Sequence, residues 1–273
     1  MVAYGRKNEL AFLGTYFMFS FIATAHAASE AGIHVVLKPY IVGELFGVPL
    51  TATLITTWIT MLLLIVGTFF VSRKPALIPT KIQSIAEMVV GGVYEYMSNV
   101  LESRILAQRY FPIVITIFIF VLALNWIGLL PGVTAVGLYH DGHFTPLLYP
   151  AATDLNITVA FALIAFVTIE VAGVVALGTF KYLGKFINFH SPLAFVLGII
   201  ELISEIARLI SFSFRLFGNM FAGKTLLVVT MFFIPYLAPV PLYAFEVFVG
   251  FIQAFVFAVL TLFFIKVAVT EPH

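Results

Sequence analysis

A long apolar stretch, from Ser191 to Ile234, carries polar residues that recur at helical spacing. At about 100° per residue they fall within about 40° of one direction, and all but the last are ionisable: Glu201, Glu205, Arg208, Arg215 and Asn219. Each charge in hydrocarbon costs roughly 2.5–3.5 kcal/mol on insertion scales, so such residues face a wet cavity or a partner. The pattern therefore indicates ion binding or ion movement inside a membrane.

Arg215 differs from the other charges on this stretch. Glu205 and Arg208 are spaced i,i+3 and can form an ion pair. Arg215 has no acid three or four residues away on either side. A guanidinium stays charged at every accessible pH, so Arg215 cannot carry protons, but it can attract a carboxylate and repel a cation. Its partner is therefore expected outside its own helix.

The last two apolar stretches are predicted to be antiparallel helices joined by a short turn. Counting outward from that turn, Lys224 and Glu246 lie at similar depth, and so do Arg215 and Gln253. The outer layer predicts a buried ion pair between Lys224 and Glu246. The deeper layer sets Arg215 beside Gln253, with Asn219 one turn above it.

Composition excludes a soluble protein. The chain of 273 residues is 62% hydrophobic and only 10% charged, and several apolar runs approach or exceed the length of a membrane span. It contains no cysteine, so thiolate chemistry and disulfides are excluded. A net charge of +1 gives no electrostatic case for nucleic acid.

The N-terminus has the pattern of a secretory signal. Arg6 and Lys7 precede an apolar run that ends in small residues, which predicts a signal peptide over 1–27 and an external segment over 28–49. The alternative is a retained additional span.

The rest of the chain, 50–273, is predicted to be a single all-α transmembrane domain. Loops with several lysines and arginines alternate with loops that contain few or none, so the positive-inside rule sets the N-terminus outside and the C-terminus in the cytoplasm. An amphipathic stretch over 82–104 predicts a helix in the membrane interface, and the alternative is a packing helix with no separate role. The last two spans form a long, tilted hairpin, and the predicted spans are 50–72, 111–131, 155–178, 192–234 and 241–269.

Several motifs resemble a known family. Residues 214–223, FRLFGNMFAG, strongly resemble the arginine motif of subunit a of F-type ATP synthases, and residues 253–257, QAFVF, resemble the motif of its final helix. Residues 125–131, NWIGLLP, and 154–156, DLN, are similar to that family in the same order. The resemblance covers about 50–270 and leaves out the first 49 residues.

The resemblance implies a non-catalytic, proton-conducting stator with no cofactor or metal. In members of the family the long helix packs against a ring of c subunits. The resemblance also implies contacts with subunit b of the peripheral stalk and with the remaining ATP synthase subunits. The membrane would be an energy-transducing lipid bilayer, here most simply a bacterial inner membrane. Arg215 would meet the ring carboxylate between two offset half-channels. Entry-path residues would be Asp154, Asn156, Asn219, Lys224, Glu246 and Gln253, and exit-path residues Glu201, Ser204, Glu205 and Ser211.

The chain departs from the family at two positions. Many members carry an acid where Lys224 stands and a histidine where Glu246 stands, so the basic and acidic roles are exchanged between the two helices. A lysine held in a salt bridge is a poor relay at neutral pH, and Glu246 is the better candidate for passing protons.

Other functions fit the sequence less well. A secondary transporter predicts repeats of similar length and interrupted helices at the midplane, which the unequal spans do not show. A purely structural anchor would not need Arg215 or a deep Gln253. An intramembrane hydrolase would need a nucleophile with a base, or a metal site, and the sequence shows neither. His140, Asp141 and His143 share a loop but lack a third strong ligand and helical spacing for a metal.

Overall fold

The computed structural model describes residues 38–45, 47–73, 81–140, 143–184, 186, 192–234 and 237–270. The predicted signal peptide and most of the external segment lie outside these ranges. The described helices are α1 (Ala52–Ser72), α2 (Lys81–Leu101), α3 (Arg104–Leu129), α4 (Leu155–Leu177), α5 (Thr179–Leu183), α6 (Pro192–Phe233) and α7 (Pro239–Val269).

The chain is an all-α polytopic membrane protein. Among the described helices, α1, α3, α4 and α7 are long and apolar enough to cross a membrane by length and composition. The helix predicted as a fifth span, α6, is not one of these four. It is a continuous helix of 42 residues, about 63 Å long at 1.5 Å per residue.

The junction of α2 and α3 differs from its sequence-based prediction. Helix α2 ends at Leu101, and α3 begins at Arg104, well before the predicted span start at residue 111. Between them Glu102 has a φ of 54°, the left-handed conformation that ends a helix. Its carboxylate accepts a hydrogen bond from Lys266 of α7 at 2.8 Å, and this contact lowers the pKa of Glu102.

Two short hairpins occur in segments that the sequence indicated only as external. Strands β1 (Ile41–Leu45) and β2 (Val48–Thr51) pair antiparallel across Gly47, whose φ is 79°. Strands β3 (Gly137–His140) and β4 (His143–Pro146) form the second antiparallel pair. Each strand has only four or five residues, too few for a clear alternation of polar and apolar residues in the sequence.

The chain divides into two compact units. The first combines residues up to Thr60 with 123–154 and 218–251. Here the end of α3 is fixed to α7 by side-chain donors. The Asn125 amide donates to the carbonyl of Gly250 at 3.0 Å, and the Trp126 indole donates to the carbonyl of Val247 at 3.1 Å.

The second unit combines residues 61–122, 155–217 and 252–273. Its core is aromatic where α6 meets α7: the ring of Phe212 lies 5.0 Å from that of Phe257 and 5.9 Å from that of Phe264, centroid to centroid. A buried pair of hydroxyls, Thr158 of α4 and Ser213 of α6, lies 3.3 Å apart.

The short helix α5 packs on α4 through a single glycine. Tyr182 is only 2% exposed, and its ring lies directly over Gly173, where a methyl group would overlap it. The Tyr182 hydroxyl donates to the carboxylate of Glu170 at 3.0 Å, so the ring cannot move aside freely. Glycine is therefore required at this position by close approach.

We expect Gly173→Ala to destabilise the second unit, because the added methyl group overpacks a ring that is held by its own hydrogen bond. Overpacking of this kind costs about 1–3 kcal/mol. Gly67→Ala is the matched control, since a methyl group there meets open space on α1. Thermal unfolding in detergent should show a lower midpoint only for the first variant, and equal midpoints would contradict the packing argument.

Candidate functional site

The long helix α6 has two distinct faces within the second unit. One face is buried and includes Glu205, Phe212, Ser213 and Leu216, each 3% exposed or less. The other is apolar and exposed, at the i, i+3, i+4 spacing of a helical stripe: Val196, Ile200, Ile203, Ile210 and Phe214. None of the residues that the structure describes covers that stripe.

Arg215 lies on the wall of a recess between α6 and α7. Its Nη2 donates to the Ser211 hydroxyl one turn earlier, at 3.3 Å. The recess has a volume of about 300 Å³ and is lined by Ser204, Ala207, Arg208, Ser211, Phe212, Arg215, Leu260 and Phe264. The structure thus brings together three of the predicted residues, Arg215, Ser211 and Ser204, and this volume suffices for several water molecules.

Arg208, which also lines the recess, is neutralised within its own helix. Its guanidinium donates to the Glu205 carboxylate at 2.6 Å and lies 3.8 Å from the centroid of the Phe264 ring. This ion pair was predicted from the i,i+3 spacing, and it is confirmed. Glu205 is 3% exposed and is not among the described residues that line the recess, so it reaches that space only through Arg208. Glu201, one turn earlier, is partly exposed.

A buried tyrosine–carboxylate contact lies in the same unit and was missed by sequence reasoning. Glu170 is bound by Tyr182 through one oxygen, while its other oxygen is buried and has no hydrogen-bond partner among the described residues. Burial raises the pKa of Tyr182, and the neighbouring Glu170 raises it further. Tyr182 therefore remains a neutral donor. The sequence signal for this contact was weak: Tyr182 follows a span that contains Glu170 and Gly173.

The predicted entry residues are divided between the two units. Asp154 and Glu246 are buried in the first unit, 4% and 3% exposed, and Asn219 and Lys224 of α6 belong to it as well. The Asp154 carboxylate accepts a hydrogen bond from the Thr53 hydroxyl at 2.7 Å. The other two predicted entry residues belong to the second unit, where Asn156 is exposed and Gln253 is partly buried.

Buried oxygens without partners mark the interior of the first unit. Among the described residues, the Asn125 Oδ1 and one carboxylate oxygen of Glu246 are buried and lack a hydrogen-bond partner. Such atoms are costly unless water reaches them. Asn125 was noted in the sequence only as part of a motif. A cavity of about 120 Å³ beside Lys224 is lined also by Tyr243, Leu227 and the 128–132 segment.

The predicted ion pair between Lys224 and Glu246 is wrong. The carboxyl group of Glu246 packs against Gly223, the residue before Lys224, so the two helices do meet at the predicted depth. The Lys224 ammonium is instead 5.0 Å from the centroid of the Tyr149 ring. Lys224 and Glu246 are both described by the structure, and they form no salt bridge with each other. The aromatic ring of Tyr149 competes for the cation.

Tyr149 lies in the loop between β4 and α4 and is held from two sides. Its backbone N–H donates to the Thr56 hydroxyl at 3.0 Å, and its ring meets that of Tyr40 edge to face at 5.2 Å. Burial, with a smaller contribution from Tyr40, raises its pKa to about 12. The phenol is therefore neutral under physiological conditions and offers Lys224 a ring face and not a negative charge.

No group of three or more His, Asp or Glu side chains that could hold a metal occurs in the part of the chain that the structure describes. Asp141 of the loop considered above lies outside that part.

Comparison with known proteins identifies the family. The family model described as the ATP synthase A chain matches residues 54–266. ATP synthase subunit a of Moorella thermoacetica is 33% identical over 84% of this chain and 95% of its own length. ATP synthase subunit a 1 of Pelobacter propionicus is 34% identical over 80% and 87%, and subunit a of Geobacter sulfurreducens 32% identical over 80% and 87%.

The chain belongs to the ATP synthase subunit a family. The resemblance read from the arginine motif is thereby confirmed. The protein is an integral membrane protein and a proton-translocating component of the membrane sector of an ATP synthase, where it sits in a complex with other subunits.

We expect the buried ion pair of α6 to respond asymmetrically to substitution. Arg208→Met removes the guanidinium that binds the buried Glu205 carboxylate, and removing one partner of a buried pair costs about 3–5 kcal/mol. Adding Glu205→Leu removes that charge and should recover most of the loss. Thermal unfolding of the purified complex in detergent measures both variants. A double variant as unstable as Arg208→Met, or less stable, would contradict the argument that the buried Glu205 charge causes the loss.

Proposed function

We propose that this chain is the stator that guides protons to and from a rotating ring of c subunits, with Arg215 at the point where ring carboxylates pass. The observation that carries the proposal is the position of Arg215 on the wall of a recess that also contains two serines, next to an exposed apolar stripe on the same helix. A permanent cation at such a point attracts a carboxylate that arrives from another protein.

The exposed stripe of α6 supports a moving partner. Val196, Ile203, Ile210 and Phe214 form a continuous apolar surface without charged residues, and a ring of apolar helices can cover such a surface without burying polar groups. Because no charge on this stripe binds the partner at one angle, the ring can slide past it. Subunit b and the remaining subunits then contact other surfaces of the chain.

The effect of Arg215 on a ring carboxylate follows from electrostatics. A carboxylate beside a guanidinium is stabilised in its ionised form, so it gives up its proton as it approaches. The same positive charge repels protons and hydronium ions and so separates the two half-channels. A membrane potential supplies roughly 2.3 kcal/mol per elementary charge per 100 mV to drive the transfer. The chain itself needs no catalytic group, cofactor or metal for this task.

The exit path is proposed to follow α6 toward the cytoplasm. Ser211 and Ser204 share the recess with Arg215, and both hydroxyls can donate and accept hydrogen bonds to water. Glu201 lies further along the helix and would deliver the proton to the surface. Glu205 is bound to Arg208, so its proposed role is to hold Arg208 at the recess.

The entry path is proposed to use polar groups nearer the outer surface. The proposed path includes four residues of the first unit: Asp154, Asn219, Lys224 and Glu246. One buried carboxylate oxygen of Glu246 has no hydrogen-bond partner among the described residues, which favours a water molecule beside it. From the second unit, Asn156 and Gln253 complete the set. Glu246 is the group proposed to pass the proton.

The setting is proposed from the same charge pattern. The subunit lies in an energy-transducing membrane, most simply a bacterial inner membrane, with the N-terminus outside and the C-terminus in the cytoplasm. The signal peptide over 1–27 and a single transmembrane domain over 50–273 remain predictions.

Arg215→Ala tests the proposed function directly. ATP-driven proton pumping by inverted membrane vesicles should fall to background, because ring carboxylates lose the charge that ionises them, while the complex still assembles. Lys266→Gln is the control: it also removes a cation, but one paired with Glu102 at 2.8 Å and outside the proposed path. Normal pumping by Arg215→Ala in an assembled complex would overturn the role of Arg215.

Cysteine accessibility tests the direction of the two paths. With single cysteines at positions 246 and 201, a small membrane-impermeant thiol reagent should react with the first from outside and with the second from the cytoplasm. Labelling on the opposite sides would contradict the proposed topology.

A further inference from the structure

Glu246 packs against the turn of α6 that carries Lys224, and an ion pair between the two side chains would interfere with proton entry. The Glu246 carboxyl packs on Gly223, and the lysine is the next residue of α6. An ammonium bound to this carboxylate would stabilise its ionised form and oppose the uptake of a proton. A proton-passing Glu246 therefore requires that the lysine be held elsewhere.

The first unit contains a side chain, Tyr149, that holds the Lys224 ammonium. The ammonium of Lys224 lies 5.0 Å from the centre of the Tyr149 ring, within the distance at which a ring face attracts a cation. The attraction strengthens where water is scarce. Since Tyr149 remains a neutral phenol, it binds the lysine without adding a charge near Glu246.

Tyr149 is fixed well enough to select one position for a flexible lysine. The backbone N–H of Tyr149 is hydrogen-bonded to the Thr56 hydroxyl, and its ring packs against the ring of Tyr40. Thr56 is 1% exposed, and Pro150, which follows Tyr149, is buried. The lysine side chain has four rotatable bonds, so the fixed ring decides where its ammonium lies.

We propose that Tyr149 is a positioning residue for proton entry, which keeps the Lys224 ammonium on its ring and thereby leaves the Glu246 carboxyl able to accept a proton. This inference rests on the proposed function, because it presumes that protons enter through Glu246. Neither Tyr149 nor Tyr40 carried any functional prediction in the sequence. The proposal explains how a chain with a lysine at position 224 keeps its acid available.

Passive proton conductance tests the proposal, measured in vesicles that carry the intact complex and are then stripped of the catalytic head. Tyr149→Leu should lower the conductance about tenfold. This is the loss expected when an ion pair with Lys224 lowers the proton affinity of the Glu246 carboxylate tenfold. Tyr149→Phe keeps the ring and should conduct like the original chain. If Tyr149→Leu does not assemble, Tyr149→Met takes its place, because its longer side chain fills more of the space of the ring without an aromatic group.

A suppressor variant separates positioning from a structural role. In a Lys224→Gln background, adding Tyr149→Leu should cause no further loss of conductance, because no ammonium is left to bind Glu246. An equal loss in both backgrounds, normal conductance of Tyr149→Leu, or a loss in Tyr149→Phe equal to that of Tyr149→Leu would each overturn the proposal.

Glu246→Gln distinguishes failure of the proposed function from failure of this inference. If that variant conducts protons normally, the entry path does not use Glu246, and the proposed function is wrong at this residue whatever Tyr149 does. If Glu246→Gln blocks conductance while the Tyr149 variants give one of the contrary results, the entry path stands and only the positioning role is rejected.

Discussion

A positive charge that cannot be removed by deprotonation is the constraint on which the rest of the structure depends. A guanidinium in an apolar helix must be hydrated or must meet an acid, because the energy of an isolated charge in hydrocarbon is prohibitive. Arg215 is hydrogen-bonded to a serine on its own helix and borders a recess with room for water. This arrangement keeps the charge tolerable, and in the proposed function it is where a carboxylate of the ring meets the guanidinium.

Three other cations of the described helices contact an acid or an aromatic ring of the same chain. Arg208 is bound by Glu205 and covered by the Phe264 ring. Lys266 is bound by Glu102 at the end of α2, and Lys224 lies on the ring of Tyr149. Acids bind two of these cations and an aromatic ring the third, and each contact satisfies the charge within the chain.

Much of the fold was predictable because it depends on composition and local periodicity. Long apolar runs define membrane helices, and the i,i+3 spacing of Glu205 and Arg208 correctly gave an ion pair. The family also followed from the arginine motif, which lies within residues 54–266, the region that the family model matches. These features are set by residues that are neighbours in sequence or by a motif read as a whole.

The features that were wrong or missed depend on contacts between distant segments. Counting from the turn correctly brought α6 and α7 together near Gly223 and Glu246. It could not reveal Tyr149, because this loop residue reaches Lys224 only after the first unit has folded. The Glu170–Tyr182 contact was missed for the same reason: it requires the chain to turn back at Gly178, which has a φ of 83°.

Proton leak through a stationary ring tests most directly whether the charge of Arg215 separates two half-channels. In vesicles with the whole enzyme and the catalytic head inhibited, the ring cannot turn. The account predicts no conductance with Arg215 present and a measurable proton leak in Arg215→Gln, because the barrier between the paths is then lost. An Arg215→Gln complex that assembles and remains proton-tight under the same potential would contradict it.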